Sequence, residues 1–472
     1  MMAYGSLHQY PVAVLGAGPI GLAAASHLIE RGLPVRAYEA GPSVGANIRT
    51  WAHVRTFSPW SCNLDSAALG ILERHGWQHP RPDYIPTGGE LVRQYLEPLA
   101  GTPELAGVIE TRTTVIAVSR RGMDKITSKG REARPFEIVV EGPDGSRRRV
   151  HARAVIDASG TWTCQNPLGA NGHPAEGELE HAAYLSYGIP DVLGIDRPAF
   201  ADKRIIVVGA GYSAANVLLD LAALSETHPR TSITWVIRGT SLARVFGGGL
   251  ADQLPARGEL GADVKDLIDA GKVRLVTAFR TTAVRKARRG VLLQGETEVG
   301  IEELGPADRI VVATGQRPDL GITRELRLEL DPWLESTKAL GPLIDPNVHS
   351  CGSVPPHGYR ELSHPEPGFY TVGVKSYGRA PTFLLMTGNE QVRSVVAAIA
   401  GDMVAADAVQ LVLPQTGVCE ARSNKVPKPV AVSIGCCGGP APAGTDACCV
   451  KDVEAKAAGE AGCGCGTQPR RP

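Results

Sequence analysis

This sequence has no excess of charge of either sign, and it has few aromatic side chains. Its 472 residues carry 49 Lys and Arg against 49 Asp and Glu, and aromatic residues make up only 5%. No net field therefore steers the chain toward nucleic acid or an anionic membrane surface. Few rings are available to stack on bases. We expect no nucleic-acid partner.

A helix able to span a membrane is also lacking. The uncharged stretch over residues 11–29 contains Pro19 and several glycines, which break such a helix, and no basic segment precedes it. We therefore expect a soluble, cytoplasmic protein with no membrane partner. The length of the chain predicts two or three domains.

Cysteine is sparse over most of the chain. Cys62, Cys164 and Cys351 stand alone, whereas the other seven of the ten cysteines lie between Cys419 and Cys465. The isolated positions exclude a closely spaced redox pair from the body of the sequence, which we define as residues 1–412.

Glycine, in contrast, is plentiful, and it defines the most informative stretch, residues 12–39. An apolar run predicts a buried strand, Gly-x-Gly-x-x-Gly spacing leads into a helical pattern, and a second strand ends in an acid. The first glycine permits a tight turn, the second lets the backbone approach a pyrophosphate, and the third lets helix and strand pack closely. The acid is placed to accept hydrogen bonds from a ribose. The predicted cofactor-binding residues here are Gly16, Gly18, Pro19, Gly21 and Glu39.

A second version of this unit begins at Ile205. Its buried strand is followed by the same glycine spacing, with Ala214 in place of the third glycine, an accepted variant. The next strand ends in Arg238, where the first unit ends in an acid. A guanidinium cannot accept hydrogen bonds from ribose hydroxyls, but it can hold the 2′-phosphate of NADP. We therefore favour NADPH over NADH as the ligand, at Gly209, Gly211, Ser213 and Arg238.

Two further predicted strands close on small residues. One ends in Asp157-Ala-Ser-Gly160 and the other in Ala313-Thr314-Gly315. Small residues at the end of a strand let a bound cofactor approach the backbone. We add Gly160, Thr314 and Gly315 to the predicted cofactor-binding residues.

Together these motifs resemble the two-dinucleotide-binding-domain flavoproteins over residues 10–410. The resemblance implies an α/β fold with two Rossmann-like domains, in which the first binds FAD and the inserted second binds NAD(P)H. It implies a first FAD segment over residues 10–165, a linker and NAD(P) domain over 166–306, and a returning FAD segment over 307–412. Residues 413–472 are rich in Gly, Ala, Pro and Cys and predict a flexible, disordered tail.

The missing redox pair favours one branch of that superfamily. Disulfide reductases carry two cysteines beside the flavin, whereas flavin monooxygenases and related N-hydroxylases, which this sequence resembles, do not. The linker keeps the spacing of their Gly and His at Gly177 and His181, although Ala175 replaces their Phe. The resemblance implies that NADPH reduces FAD and that one oxygen atom of O2 passes to a small-molecule substrate. Ser58 and Asn63, in the Trp-rich loop after the first unit, are the candidate catalytic residues.

The tail contains the candidate metal ligands. Thiolates at such irregular spacing suit Cu(I) or trivalent arsenic better than zinc. The segment also resembles the Cys-rich endings of proteins from bacterial arsenic-resistance operons, which include flavoprotein monooxygenases. A linker-like tail with incidental thiols is the alternative. The candidate ligands are Cys436, Cys437, Cys448, Cys449, Cys463 and Cys465.

Three functions stay open at this point. The leading interpretation is an FAD-dependent, NADPH-using oxidoreductase of the monooxygenase kind, associated with arsenic resistance. The second is a flavin reductase that passes electrons through the tail thiols. The third is a metal- or arsenite-sequestering protein whose flavin fold does no chemistry.

Overall fold

The computed structural model describes residues 7–246, 254–348, 354–381 and 383–411, together with residues 456 and 458. Contacts divide the chain into two compact units, Met1–Glu420 and Ala421–Pro472. Every helix and strand named below lies in the first unit.

The described residues contain runs of strands and runs of helices in addition to the two strand–helix–strand units. The strands are β1 (Val12–Leu15), β2 (Val35–Tyr38), β3 (Ile109–Glu110), β4 (Thr114–Arg120), β5 (Phe136–Glu141), β6 (Arg147–Ala152), β7 (Ala154–Asp157), β8 (Leu185–Tyr187), β9 (Arg204–Val208), β10 (Ser232–Val236), β11 (Arg274–Val276), β12 (Arg280–Lys286), β13 (Val291–Thr297), β14 (Gly300–Ala307), β15 (Arg309–Val312) and β16 (Phe369–Thr371). The α-helices are α1 (Pro19–Glu30), α2 (Ala46–Arg49), α3 (Trp60–Asn63), α4 (Ser66–Arg74), α5 (Gly88–Leu91), α6 (Glu97–Ala100), α7 (Pro103–Ala106), α8 (Arg197–Phe200), α9 (Tyr212–Thr227), α10 (Ala243–Phe246), α11 (Pro255–Asp269), α12 (Gly341–Ile344), α13 (Tyr359–Leu362), α14 (Leu385–Ile399) and α15 (Met403–Asp407).

The first sheet is parallel and has the strand order β16-β7-β1-β2-β3. Strands β1 and β7 are buried along their whole length, as expected for central parallel strands covered on both faces. Helices α1 and α14 pack against each other beside this sheet. Leu22 and Leu28 of α1 and Val395 of α14 belong to the core that joins them.

The second sheet is also parallel, with the order β11-β10-β9-β15-β8. Its core includes Trp235 from the sheet and Leu218 and Leu221 from α9, all fully buried. Helix α11 packs on α9. Each parallel sheet is accompanied by a three-stranded antiparallel sheet, β4-β5-β6 or β12-β13-β14.

This architecture confirms the predicted α/β fold with two Rossmann-like sheets, and one detail differs from expectation. Strand β15 was expected in the returning FAD segment, but it pairs with β9 and β8 and completes the second sheet. An apolar run alone does not reveal which sheet a strand joins. Helix α14 begins at Leu385, directly after Leu384, which has extended backbone angles.

The two connections between the parallel sheets run side by side. Gln165 and Gln316 form an antiparallel bridge. Asn166 N donates to Gly315 O at 2.9 Å, next to that bridge. The chain therefore enters and leaves the second sheet through one paired backbone segment.

A buried ion cluster fastens the antiparallel sheet of the first domain to the segment before β16. Glu366 accepts hydrogen bonds from Arg120 Nε at 2.7 Å, from Arg131 Nη2 at 2.7 Å and from Arg327 N at 3.1 Å. Glu366 is fully buried, and both paired arginine side chains are at most 4% exposed. Burial alone would raise the pKa of Glu366, but the arginine hydrogen bonds outweigh it and lower that pKa below its ordinary value.

Among the described helices, none combines the length and the apolar character needed to cross a bilayer.

Candidate dinucleotide-binding sites

The first glycine loop joins the carboxyl end of β1 to α1. Gly16 has φ +95°, and a Cβ there would lie 2.9 Å from Ala158 O. A Cβ on Gly21 would lie 2.0 Å from Gly16 O, so the helix and the turn touch. A Cβ on Gly18 would meet no described atom within 4 Å. The loop is therefore closed against protein at Gly16 and Gly21 and open at Gly18, and Pro19 begins α1.

The acid at the end of β2 lies against this loop. One carboxylate oxygen of Glu39 accepts the Ala17 N–H at 2.7 Å, and the other accepts the Gly41 N–H at 2.7 Å. Each oxygen keeps a second lone pair, and the side chain is partly exposed. Glu39 therefore retains acceptors for ribose hydroxyls.

The shape of this loop fits a dinucleotide. A ligand backbone can approach Gly18, where no side chain stands in the way. The first turn of α1 has no side-chain cap, and unpaired N–H groups at a helix N-terminus favour an anion. Gly18 and the first turn of α1 could hold the pyrophosphate of FAD, and Glu39 its ribose.

A turn at the end of the neighbouring strand β7 supports the loop. Asp157 Oδ1 accepts the Ser159 N–H at 3.1 Å and the Ser159 hydroxyl at 2.6 Å. Gly160 completes the turn with φ +73°. The other carboxylate oxygen of Asp157 accepts from Lys375 Nζ at 2.7 Å. The turn is therefore shaped by a carboxylate that is paired with a buried lysine.

The second glycine loop repeats this geometry at the end of β9. Gly209 has φ +136°, and a Cβ there would lie 2.1 Å from Ala313 O. A Cβ on Gly211 would meet no described atom within 4 Å. Ala214 is fully buried, and Ser213 lies in the first turn of α9. In both loops a neighbouring carbonyl backs the first glycine, and the second glycine is open.

Thr314 and Gly315 belong to the turn that backs this second loop. Thr314 Oγ1 donates to Asn166 O at 2.9 Å, and Gly315 has φ +86°. Because β15 pairs with β9, the turn that contains these two predicted residues lies beside the second loop.

Arg238 follows β10 and is exposed. Its Nη1 donates to Ala170 O at 2.8 Å, which holds the guanidinium against the linker. The register of β10 on β9 places Ile237 opposite Gly209, as that of β2 on β1 places Glu39 opposite Gly16, so Arg238 lies one residue further along the chain. Its other N–H groups could hold a phosphate.

Ser58 and Asn63, the candidate catalytic residues, bind each other. Ser58 Oγ donates to Asn63 Oδ1 at 2.6 Å, and Asn63 Nδ2 donates to Ser58 O at 2.9 Å. Both side chains are buried. The pair closes the turn that begins α3, which packs on α14. A role in the reaction stays a prediction for both residues.

The loop before α3 contacts the helix that follows the second glycine loop. The rings of Phe57 and Tyr212 meet edge to face, with centroids 5.0 Å apart. His53 Nε2 is buried and has no hydrogen-bond partner among the described residues. Burial raises the pKa of the Asp220 carboxyl, on the same helix, to about 6; His53 opposes the rise and Asp191 adds to it. The Asp220 carboxylate, whose burial is only partly offset by favourable charges, therefore lies where the two domains touch.

Replacing Asp220 by asparagine is expected to stabilise the protein at pH 8. The pKa of this carboxyl rises from 3.8 to about 6 on folding, so its contribution to stability is lost as the pH rises through that range. Removing the charge should restore about 1–2 kcal/mol at pH 8, allowing for solvent screening. Urea unfolding at pH 8 and at pH 4 measures the gain, which should vanish at the lower pH. An equal gain at both values would contradict the assignment.

The sequence did not indicate a group of polar residues late in the chain that lie near the first glycine loop. Gly373 N donates to Gln391 Oε1 at 2.7 Å, and Gln391 Nε2 donates to Ser376 Oγ at 2.9 Å and lies 2.9 Å from His357 Nε2. Burial lowers the pKa of His357, which therefore accepts as a neutral ring. A Cβ on Gly373 would lie 3.3 Å from Ile20 Cγ1 of α1. The signal that could have indicated them is Gln391, a polar amide within the otherwise apolar pattern of α14.

No cysteine pair stands beside either loop in the part of the chain that the structure describes. Cys62 and Cys164 are free thiols there. The described residues also hold no group of three or more His, Cys, Asp or Glu placed for a metal ion. The predicted ligands of the tail, like Cys351, lie outside the described residues: Cys436, Cys437, Cys448, Cys449, Cys463 and Cys465.

The chain is similar to flavoenzymes of known structure or activity. Flavin-containing monooxygenase 1 of Homo sapiens is 24% identical over 247 residues, which is 50% of this chain and 42% of that protein. The chain thus matches less than half the length of this relative.

Two solved structures share the architecture. Bacillithiol disulfide reductase from Bacillus cereus superposes with a TM-score of 0.61 at 16% identity, covering 83% of this chain and 99% of that one. The cadaverine monooxygenase of Erwinia amylovora, solved with FAD bound, superposes with a TM-score of 0.61 at 14% identity, covering 88% and 99%. At these identities the likeness shows the fold alone.

The family assignment comes from a sequence profile. The profile described as pyridine nucleotide-disulphide oxidoreductase matches residues 10–365, well over half of the chain. This range contains both glycine loops, the second sheet, and all of the first sheet except β16. The chain belongs to the pyridine nucleotide-disulphide oxidoreductase family.

Proposed function

We propose that this protein is an FAD-dependent NAD(P)H oxidoreductase that works as a monooxygenase. The observation that carries the proposal is the pair of glycine loops, each backed by a carbonyl at its first glycine and open at its second. Glu39 directly follows β2 and Arg238 lies two residues after β10, so an acid near the first loop and a base near the second favour FAD at the first and NADPH at the second. FAD, when bound, supplies hydride acceptance from NADPH and reaction with O2.

The chain's own residues would bind and orient the two nucleotides. Gly18 and the first turn of α1 take the pyrophosphate of FAD, and Glu39 accepts from its ribose. Gly211 and the N-terminus of α9 take the pyrophosphate of NADPH. The contact between Phe57 and Tyr212 links the loop before α3 to the first turn of α9.

The spacing of the cysteines in the body of the sequence favours monooxygenation over disulfide reduction as the activity. The resemblance implies that a disulfide reductase would carry two neighbouring cysteines at the flavin, and among the described residues Cys62 and Cys164 are far apart in sequence and unbridged. The resemblance to flavin-containing monooxygenase 1 supports the same choice. A small nucleophile, such as an amine or a thioether, is the substrate class we propose.

The test uses the purified full-length chain. We expect flavin absorption bands, anaerobic bleaching of these bands by NADPH, and their return with O2 while a thioether or amine gains oxygen. Changing Cys448 and Cys449 together to serine should leave turnover unchanged. A colourless protein would overturn the proposal. Loss of turnover in the serine variant would favour the reductase that works through tail thiols.

Arg238 is proposed to select NADPH over NADH. The Arg238→Gln variant should raise the KM for NADPH about tenfold, because a charge-assisted contact to the 2′-phosphate is lost. The KM for NADH should hardly change. Steady-state kinetics with both nucleotides measure the difference. Arg230→Gln, an exposed residue paired with Asp202 in the same domain, is the matched control. Equal effects on both nucleotides would contradict this role.

We also propose that the tail cysteines bind trivalent arsenic or Cu(I), and that the enzyme is associated with arsenic resistance. The support is the thiol pattern alone, since soft ions accept irregular thiolate sets. Calorimetric titration of the full chain with arsenite should show binding that disappears when all six cysteines are serine. Equal heats in both proteins would leave the thiols incidental.

A further inference from the structure

We propose that Lys375 is a positioning residue for FAD, which acts by neutralising Asp157 beside the first glycine loop. The carboxylate can then shape the turn behind that loop without repelling the pyrophosphate of the cofactor. This inference rests on the proposed function, because it takes FAD as the ligand of the loop.

Asp157 lies one strand away from the loop. It is the register partner of Leu15, the residue before Gly16, in the parallel pair β1 and β7. Ala158 N donates to Leu15 O at 2.9 Å, and a Cβ on Gly16 would lie 3.1 Å from the Cα of Ser159. Neighbouring strands are about 4.8 Å apart, so Asp157 lies on the strand next to the one that carries the loop.

The acceptor atoms of Asp157 have a structural purpose that does not need a charge. Its Oδ1 accepts both the N–H and the hydroxyl of Ser159, which is the bonding of an Asx turn. An asparagine oxygen could accept the same two bonds. The negative charge is therefore not needed for the turn, and its presence next to a phosphate site is unfavourable.

That charge is buried, and so is the lysine that meets it. The side chains of Asp157 and Lys375 are 1% and 2% exposed. Buried ions are strongly disfavoured unless they are paired. Lys375 Nζ lies 2.7 Å from Asp157 Oδ2 and 3.0 Å from Ser159 Oγ, so it binds the carboxylate and the turn together. FAD brings two further negative charges to this edge of the sheet.

The nearby ring of His364 does not replace Lys375 as a positive charge. Burial lowers the pKa of His364 to about 4, although Glu329 and Asp157 oppose the shift, so this ring is neutral at physiological pH. A cavity of about 10 Å³ lies beside the pair, between Asp157, Thr371 and Lys375. It has room for one water at most and none for a hydrated counter-ion.

Three variants test the proposal by their order of FAD affinity. Apoprotein of the full chain is titrated with FAD, and binding is followed by quenching of flavin fluorescence. Lys375→Met leaves the carboxylate alone and should weaken FAD binding about 30-fold. Asp157→Asn removes the anion but leaves Lys375 as an unpaired buried cation, so the apoprotein should melt earlier although the Kd for FAD should rise by no more than about threefold. The double variant is neutral and should recover to within about threefold.

A merely structural ion pair gives a different order. Each single variant and the double variant would then lose affinity together, in step with the melting temperature of the apoprotein, and that result would overturn the inference. Lys338→Met, which removes an exposed lysine paired with Glu329, is the control for lysine loss. If the wild-type apoprotein binds no FAD, the proposed function fails. If it binds FAD but the variants do not follow the expected order, only the role of Lys375 fails.

Discussion

Gly18→Ala is expected to cost most of the FAD affinity while leaving the apoprotein as stable as wild type. A Cβ at this position meets no described atom within 4 Å and the backbone φ is −78°, so alanine fits the protein. The same methyl group would stand where the pyrophosphate must approach the backbone. We expect the Kd for FAD to rise about 100-fold, measured by fluorescence titration.

Gly21→Ala is the contrasting variant in the same loop. A Cβ there would lie 2.0 Å from Gly16 O, so the helix must move away from the turn. The apoprotein should lose stability as well as FAD affinity. Thermal melts of both apoproteins separate the two effects. If Gly18→Ala melts as early as Gly21→Ala, or binds FAD normally, the open glycine does not mark the pyrophosphate site.

Glu366→Ala is expected to cost about 3–5 kcal/mol in the free energy of unfolding, because it leaves two buried guanidinium groups without their carboxylate. Arg120 and Arg131 are almost completely buried and both bind Glu366. Arg120 also lies over the ring of Phe136, 3.7 Å from its centroid, so it cannot turn out to solvent without losing that contact. Urea unfolding at neutral pH measures the loss.

A surface pair from the same antiparallel sheet provides the control. Glu141 pairs with Arg147, whose side chain is 63% exposed. Glu141→Ala should cost less than about 1 kcal/mol, since exposed ion pairs contribute little. A loss of that small size for Glu366→Ala would mean that the two arginines find water or other partners when the carboxylate is removed.

The glycine loops and the two sheets could be predicted because their signals are local. The apolar run of β1, the spacing of Gly16 to Gly21 and the acid at the end of β2 lie within one stretch of sequence. The second unit repeats that order. Each feature follows from the conformation or packing of residues close in the chain, so the fold prediction was confirmed.

The contacts that the sequence did not reveal join residues far apart in the chain. Asp157 and Lys375 are 218 positions apart, and nothing in the pattern around either residue indicates the other. Strand β15 was placed with the wrong sheet because a short buried strand looks the same in both. Ser58 and Asn63 are polar residues in a promising loop, yet each satisfies the other, which only coordinates can show.

The bridge between Gln165 and Gln316 has a consequence for synthesis on the ribosome. All strands of the second sheet have been synthesised once Val312 emerges from the ribosome. The core of the second domain can then form, because this domain joins the first through the paired segments at Gln165 and Gln316. The first sheet still waits for β16 and for α14, more than fifty residues further on. The inserted domain is therefore the first to be complete during translation, although the other domain begins the chain. In a nascent chain stalled soon after Gln316 has emerged, the second domain should already resist protease, while the first domain should still be cleaved.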